Sequence, residues 1–328
     1  MKTAMHTLRV ILLLALVFAA SADCLSEAQT HYEKGDYHAA LRLYEQCVFS
    51  SPNPALVYFN MANCWYQLDS LANAAVCYEM SIAEAPEFFR AWLNLGILKY
   101  NLNDYPGVVA ALERARSLQP ENTQLLLILA SAYLRLESLS NAIPLLEYAV
   151  SIDPGLEKGY FMLYEANYRL GNLDGAAQWL RMCPDKASGR IREKQILLAE
   201  LLEEQGKLNE ALSWWRKVMD AFPEERWASY KYVSLLARQQ TVLLALEEAD
   251  EALEKYPDFG EMALIAGSIA TDAGLLDRAS RYFMRAWELG FADGLVGLQN
   301  LIVLYSEKQD NASAAQLATL IGSKRGRK

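Results

Sequence analysis

Apolar residues return along this chain in pairs of short runs, each pair divided by a polar turn and closed by a proline. Tyr58, Met61, Ala62 and Trp65 stand three and four residues apart, the interval that puts side chains on one helix face. A second run carries Ala74, Tyr78 and Ser81, and Pro86 closes the unit. The same motif returns 34 residues later as Trp92, Leu95, Gly96, Lys99, Val108, Leu112, Ala115 and Pro120. Each unit thus predicts two helices, a turn and a stop, because proline cannot continue a helix. No strand-like alternation interrupts the pattern, so the expected fold is all-α.

The phase can be followed by its prolines. Pro52, Pro86, Pro120 and Pro154 are evenly spaced, and Tyr105-Pro106 opens a helix where a missing N–H costs nothing. Pro144 is expected in the first turn of its helix. The first turn of the chain, Glu33-Lys34-Gly35-Asp36-Tyr37, has a glycine for the left-handed residue that ends a helix. Cys183-Pro184 then cuts a helix short, and Asp185 to Gly189 reads as a loop. From Pro154 to Pro223 the spacing is two periods plus one, the one break in phase and the candidate bend. The next proline, Pro257, is again 34 on, and Phe291 takes the following proline's place. These marks predict an N-terminal array of about five units over residues 23–191. A C-terminal array of about three units with a capping hairpin should follow over 192–322, then a solvated basic tail at 323–328.

Small residues recur on both helices of each unit, among them Ala28, Ala62, Gly96 and Ala130 on first helices and Ala40, Ala74, Ala142 and Ala176 on second helices. Beside them stand large fillers: Tyr44, Tyr78, Leu112, Leu146, Leu180, Trp215 and Phe283. Helices approach closely only where both surfaces are small, so these slots should be buried.

A 34-residue period held through eight copies resembles the tetratricopeptide repeat family over about residues 24–293, and more weakly to 322. The resemblance implies an α-solenoid of about eight helix hairpins plus a C-terminal cap, wound as a right-handed superhelix. Such proteins generally hold an extended peptide or a partner's helix on a concave face lined by the first helix of each unit. Carried onto this chain, that face would present Phe59, Asn60, Asn63 and Tyr66 from the second unit. The third unit would add Arg90, Asn94, Ile97 and Tyr100, and the next two Arg135, Tyr168 and Arg169. Asn60 and Asn94 share a slot in adjacent units, and an amide can pair with any peptide backbone. The other reading is that they cap helix contacts or face water. The recurring tyrosines Tyr32, Tyr66, Tyr100 and Tyr168 suit a binding surface and equally suit plain packing. Basic Arg135, Lys158 and Arg169 precede acidic Glu193, Glu200, Glu203 and Glu204, which reads as a bipolar groove or as neighbour salt bridges of little worth. The family's carboxylate-gripping members need several cations around the asparagines; here only Arg90 is near.

Composition narrows the partner. The chain of 328 residues is 53% hydrophobic with a formal charge of −9, so a nucleic-acid backbone is not its target. The expected partner is a protein or peptide. Residues 1–22 read as a secretory signal: Lys2, His6 and Arg9 lead an apolar run from Val10 to Ala20, and Ala20-Ser21-Ala22 is a small-x-small cleavage site. The run is shorter than the ~20 residues of a spanning helix. Export to the periplasm or outside the cell follows, with membrane contact only if Cys24 carries a lipid. Asp23 and Ser21 depart from the pattern that lipidation requires. The five cysteines leave at least one unpaired; Cys24 and Cys47 face each other across the first hairpin, where a disulfide and simple packing are both open readings. There is no phosphate-cradling loop, metal motif or nucleophile elbow. Stacked hairpins are not expected to form a deep dry pocket that tunes an acid or base. No cofactor and no catalysis are expected.

Overall fold

The computed structural model describes residues 24–185 and 190–325. The signal expected at 1–22, most of the loop expected from Asp185 to Gly189 and the end of the basic tail lie outside the described residues. Among them the chain is helical with no strand, as an all-α solenoid of hairpins.

The first hairpin joins α1 (24–33) to α2 (Tyr37–Cys47). Four more follow: α3 (Pro54–Gln67) with α4 (Leu71–Glu84), α5 (Phe89–Asn101) with α6 (Tyr105–Leu118), α7 (Thr123–Arg135) with α8 (Leu139–Ile152), and α9 (Glu157–Arg169) with α10 (Leu173–Met182). The chain divides between Pro184 and Asp185 into two compact units. The C-terminal unit holds α11 (Ile191–Glu204) with α12 (Leu208–Ala221), α13 (Arg226–Arg238) with α14 (Val242–Lys255), and α15 (Gly260–Asp272) with α16 (Leu276–Glu288). A last hairpin pairs α17 (Ala292–Glu307) with α18 (Asn311–Arg325). Helices pack chiefly on their sequence neighbours, as in a quasi-one-dimensional array. The basic tail expected from Ser323 is helical through Arg325, and Lys324 Nζ pairs with Glu288.

The alternation of small and large slots is the reason for this stacking. Ala28, Ala62 and Ala130 are fully buried, as are their counterparts Ala40, Ala74, Ala142, Ala176, Ala211, Ala245 and Ala279. The fillers Tyr44, Leu112, Leu146 and Leu180 are buried beside them. Phe283 shows how tight the fit is: a Cβ at Gly267 or at Gly297 would stand within 2.7 Å of its ring.

Polar residues at the helix starts supply caps. Asn53, Asp104, Asn122 and Asn172 each accept from a main-chain N–H three residues on, which satisfies a donor that the helix leaves unpaired. Helix ends are more varied than glycine alone predicts. Gly35 and Gly171 take φ of +78° and +72°, while Asp69, Asn103, Glu137 and Gln240 adopt the same left-handed turn at 57°, 58°, 55° and 61°. Pro144 is the sixth residue of α8, a turn deeper than expected. The Ser140 carbonyl it deprives of a donor belongs to an exposed residue, where water can serve it.

Candidate functional site

The first helices α1, α3 and α5 of the N-terminal unit border two adjoining depressions of about 390 and 320 Å³. Gln29, Tyr44, Leu56 and Asn60 line the first; Tyr66, Gln67, Tyr78, Asn94 and Ile97 line the second. Tyr32, Phe59, Asn63 and Arg90 belong to both. Seven of the expected groove residues are therefore brought together: Phe59, Asn60, Asn63, Tyr66, Arg90, Asn94 and Ile97. Phe59 is not a displayed side chain, however. It is 2% exposed and forms the floor, packed on the Tyr78 and Phe88 rings.

The floor is built from a polar set used twice. The Tyr44 hydroxyl donates to Gln29 Oε1 at 3.1 Å, with Asn60 beside the same hydroxyl. One unit on, the Tyr78 hydroxyl donates to Asn63 Oδ1 at 2.6 Å, and the Asn94 amide donates to both, at 3.2 and 3.3 Å. Gln29, Tyr44 and Asn60 each precede Asn63, Tyr78 and Asn94 by 34 residues. In the next unit the corresponding positions are Ile97, Leu112 and Ile128, so the set turns apolar as a whole. A buried phenol needs a partner, and two amides provide it from successive first helices. The asparagine pair is thus a seam between units. The Asn94 amide nitrogen is thus already engaged with Asn63 and Tyr78.

Arg90 differs from its neighbours. It is exposed, its guanidinium lies 5.2 Å from the Phe59 ring centroid, and among the described residues no carboxylate pairs with it. It is a cation placed over an aromatic floor, at the wall that the two depressions share.

The remaining expected residues lie elsewhere. The Tyr100 hydroxyl meets Ser131 Oγ at 2.8 Å, and Asn101 donates to the Tyr66 hydroxyl at 2.8 Å, each a bridge between first helices. Arg169 donates to the Leu134 carbonyl at 3.2 Å and pairs with Glu165 and Glu137. Tyr168 is exposed beside the Tyr164 ring, and Arg135 is exposed away from both depressions. In the C-terminal unit Glu203 pairs with Arg238 and Lys231, and Glu193 with Arg190. Arg169, Glu193 and Glu203 therefore act as neighbour salt bridges.

Burial controls the titratable groups here. It pushes the Tyr78 phenol up to about 12, against the pull of its bond from Asn94, and it pushes Tyr44 up as well. Burial and the nearby Cys77 push the Cys64 thiol up to about 12. All three move away from neutrality, which suits packing and not proton transfer. Among the described residues no group of three or more His, Cys, Asp or Glu could hold a metal, and no helix is long and apolar enough to cross a membrane. Cys24 and Cys47 are joined as a disulfide with Cα atoms 6.1 Å apart.

Gln29 escaped the sequence reading, although it stands 34 residues before Asn63 and its slot could have been found by extending the register back one unit. Tyr44 and Tyr78 were legible only as fillers, because a hydroxyl's direction does not show in periodicity.

A model of the tetratricopeptide repeat family matches residues 25–87, 93–157 and 196–258, more than half of the chain. No curated protein matches the sequence. Among solved structures, a chain in the structure of Naa15/Naa10 bound to HypK-THB is 17% identical with a TM-score of 0.55, over 90% of this chain and 51% of that one. The MamA RS-1 ArsTM double mutant is 19% identical with a TM-score of 0.46, over 56% of this chain and 96% of that one. MamA from residue 41 to its end, from Desulfovibrio magneticus RS-1, is 20% identical with a TM-score of 0.45, over 49% and 91%. The first of these is a likeness of fold alone.

Proposed function

Because the chain belongs to the tetratricopeptide repeat family, a fold that serves in general as a protein-interaction scaffold, we propose that its N-terminal unit holds an extended segment of a protein partner across α1, α3 and α5. The observation that carries this reading is Arg90. A guanidinium 5.2 Å from the Phe59 ring centroid, exposed and without a carboxylate partner among the described residues, stands where two polar-aromatic depressions meet. Around it the Tyr32 and Tyr66 rings offer flat apolar area, and the Asn63 and Gln67 amides keep hydrogen-bonding atoms beyond those used with Tyr78, Asn94 and Tyr32, the combination that adaptable binding surfaces use. The protein acts by holding its partner and not by catalysis.

A peptide library displayed on phage tests the site. The intact chain should enrich a family of sequences, and Arg90→Ala should lower recovery of that family by at least about tenfold, a loss of ~1.4 kcal/mol. Arg135→Ala, away from the depressions, should leave recovery unchanged. Equal recovery by all three proteins would sink the site.

We place the protein outside the cytoplasm, in the periplasm or secreted. The leader at 1–22 and the disulfide of Cys24 with Cys47 support this, since such bonds persist in oxidising compartments. A lipid-anchored envelope component, the rival reading, needs the Cys24 sulfur for its lipid, and that sulfur is engaged with Cys47. Mass spectrometry of the mature N-terminus separates the two: Asp23 as the first residue is expected, and a diacylated Cys24 would replace this reading with the tethered one.

A further inference from the structure

We propose that the Cys24–Cys47 disulfide is a latch that keeps the outer wall of the binding site in place, so that the oxidation state of this one bond decides whether the first depression exists. The inference rests on the groove reading above for its consequence, and on the packing of α1 for its mechanism.

Helix α1 contributes Gln29 and Tyr32 to the depressions, yet it is the least anchored of the helices that build them. Of its ten residues only Ala28 is fully buried, with Leu25 and Tyr32 partly buried against the core. By contrast, α3 buries Ala55, Val57, Phe59, Met61, Ala62 and Cys64. A ten-residue helix is too short to persist in water by itself. Beyond these it has polar and ring contacts, Tyr44 with Gln29, His31 with Asp36, Tyr32 with Gln67 and with the Tyr37 ring, and one covalent tie, from Cys24 to Cys47, a residue fully buried at the end of α2. The bond therefore joins the start of a weakly held helix to a well-held one.

The chemistry is confined to this pair. An external dithiol attacks at Cys24, a partly exposed residue; reduction takes up two electrons and two protons, breaks the S–S bond and leaves two thiols, while the dithiol closes to its own disulfide. Cys64, Cys77 and Cys183 are buried thiols, and burial raises the first two further, so they do not exchange with the pair near neutrality. Once α1 is free, Tyr32 and Gln29 leave the wall, and the Tyr44 hydroxyl loses an acceptor.

Hydrogen exchange by mass spectrometry on the full chain, oxidised and then reduced with dithiothreitol, tests this. Reduction should speed exchange of the α1 amides by about a hundredfold, the effect of releasing a loop of some 20 residues, and leave α4 and α8 unchanged. Cys24→Ser, at a partly exposed position, should reproduce the reduced pattern without reductant. In parallel, reduction should lower recovery from the displayed peptide library at least about tenfold. Unchanged exchange in α1 on reduction and in Cys24→Ser would overturn the latch. Faster α1 exchange with undiminished library recovery would overturn its control of the site. Absence of any enrichment by the oxidised chain would sink the groove reading and the gating with it, while the exchange result would still decide whether the disulfide holds α1.

Discussion

Tyr78 and Leu112 fill the same slot one unit apart, and they show how a single hydroxyl propagates through its surroundings. Tyr78 donates to Asn63 and receives from Asn94; around Leu112 the equivalents are Ile97 and Ile128. Removing one member of a buried polar set leaves the others unsatisfied, whereas replacing the whole set does not. Tyr78→Phe should therefore cost about 1–3 kcal/mol in urea unfolding. The triple change Tyr78→Leu, Asn63→Ile and Asn94→Ile should cost less than that single change, and a larger cost would refute the seam. Glycine positions divide in a similar way. A Cβ on Gly294 would lie 2.6 Å from the Trp287 nitrogen and 2.7 Å from the Phe283 carbonyl oxygen, main-chain atoms that cannot step aside. A Cβ on Gly322 in α18 meets nothing within 4 Å. Gly294→Ala should destabilise by ~1–3 kcal/mol, and Gly322→Ala should stabilise by roughly 0.5–1 kcal/mol, both read from urea midpoints.

Helix ends set the next scale. Each hairpin needs one left-handed residue after its first helix, and glycine meets that need in only some of them. Gln240 holds φ of +61° with an exposed side chain, so it bears the steric cost without a contact that offsets it. Gln240→Gly should raise the melting temperature, worth about 0.5–1 kcal/mol at this turn, and a fall would show that the side chain contributes something unseen. Glu137, at +55°, is a poorer choice for the same change because its carboxylate pairs with Arg169. Regular turns were legible because their spacing is fixed. Which of them carried strain was not, because the chain uses Asp69, Asn103, Glu137 and Gln240 interchangeably with glycine.

At the scale of the molecule, buried phenols couple stability to alkaline pH. Tyr44, Tyr78, Tyr282 and Tyr305 are all pushed up, chiefly by burial, Tyr78 and Tyr282 to about 12. An unfolded phenol ionises near 10. Their contribution is thus fully present below pH 10 and is lost as pH rises toward 12, since the unfolded chain sheds its protons first. Tyrosinate absorbance followed with far-ultraviolet circular dichroism should show these phenols ionising together with loss of helix. Complete ionisation of all 18 tyrosines near pH 10 in a chain that keeps its helices would contradict their burial.

Helix, turn and repeat could be read from residue order because each is local: a 34-residue period specifies a hairpin, and small slots opposite large ones specify how hairpins meet. Seven of the proposed groove residues could be grouped for the same reason, since equal places in successive units fall side by side. Folding alone decided which of them remained available. Asn94 and Tyr66 turned to neighbouring side chains, Arg169 turned to a carbonyl one unit back, and Arg90 did not turn to a carboxylate. Those outcomes depend on distances of a few ångströms between residues some 30 apart in sequence. Periodicity fixes which face a side chain occupies, but the partner it finds there is set by packing across the seam.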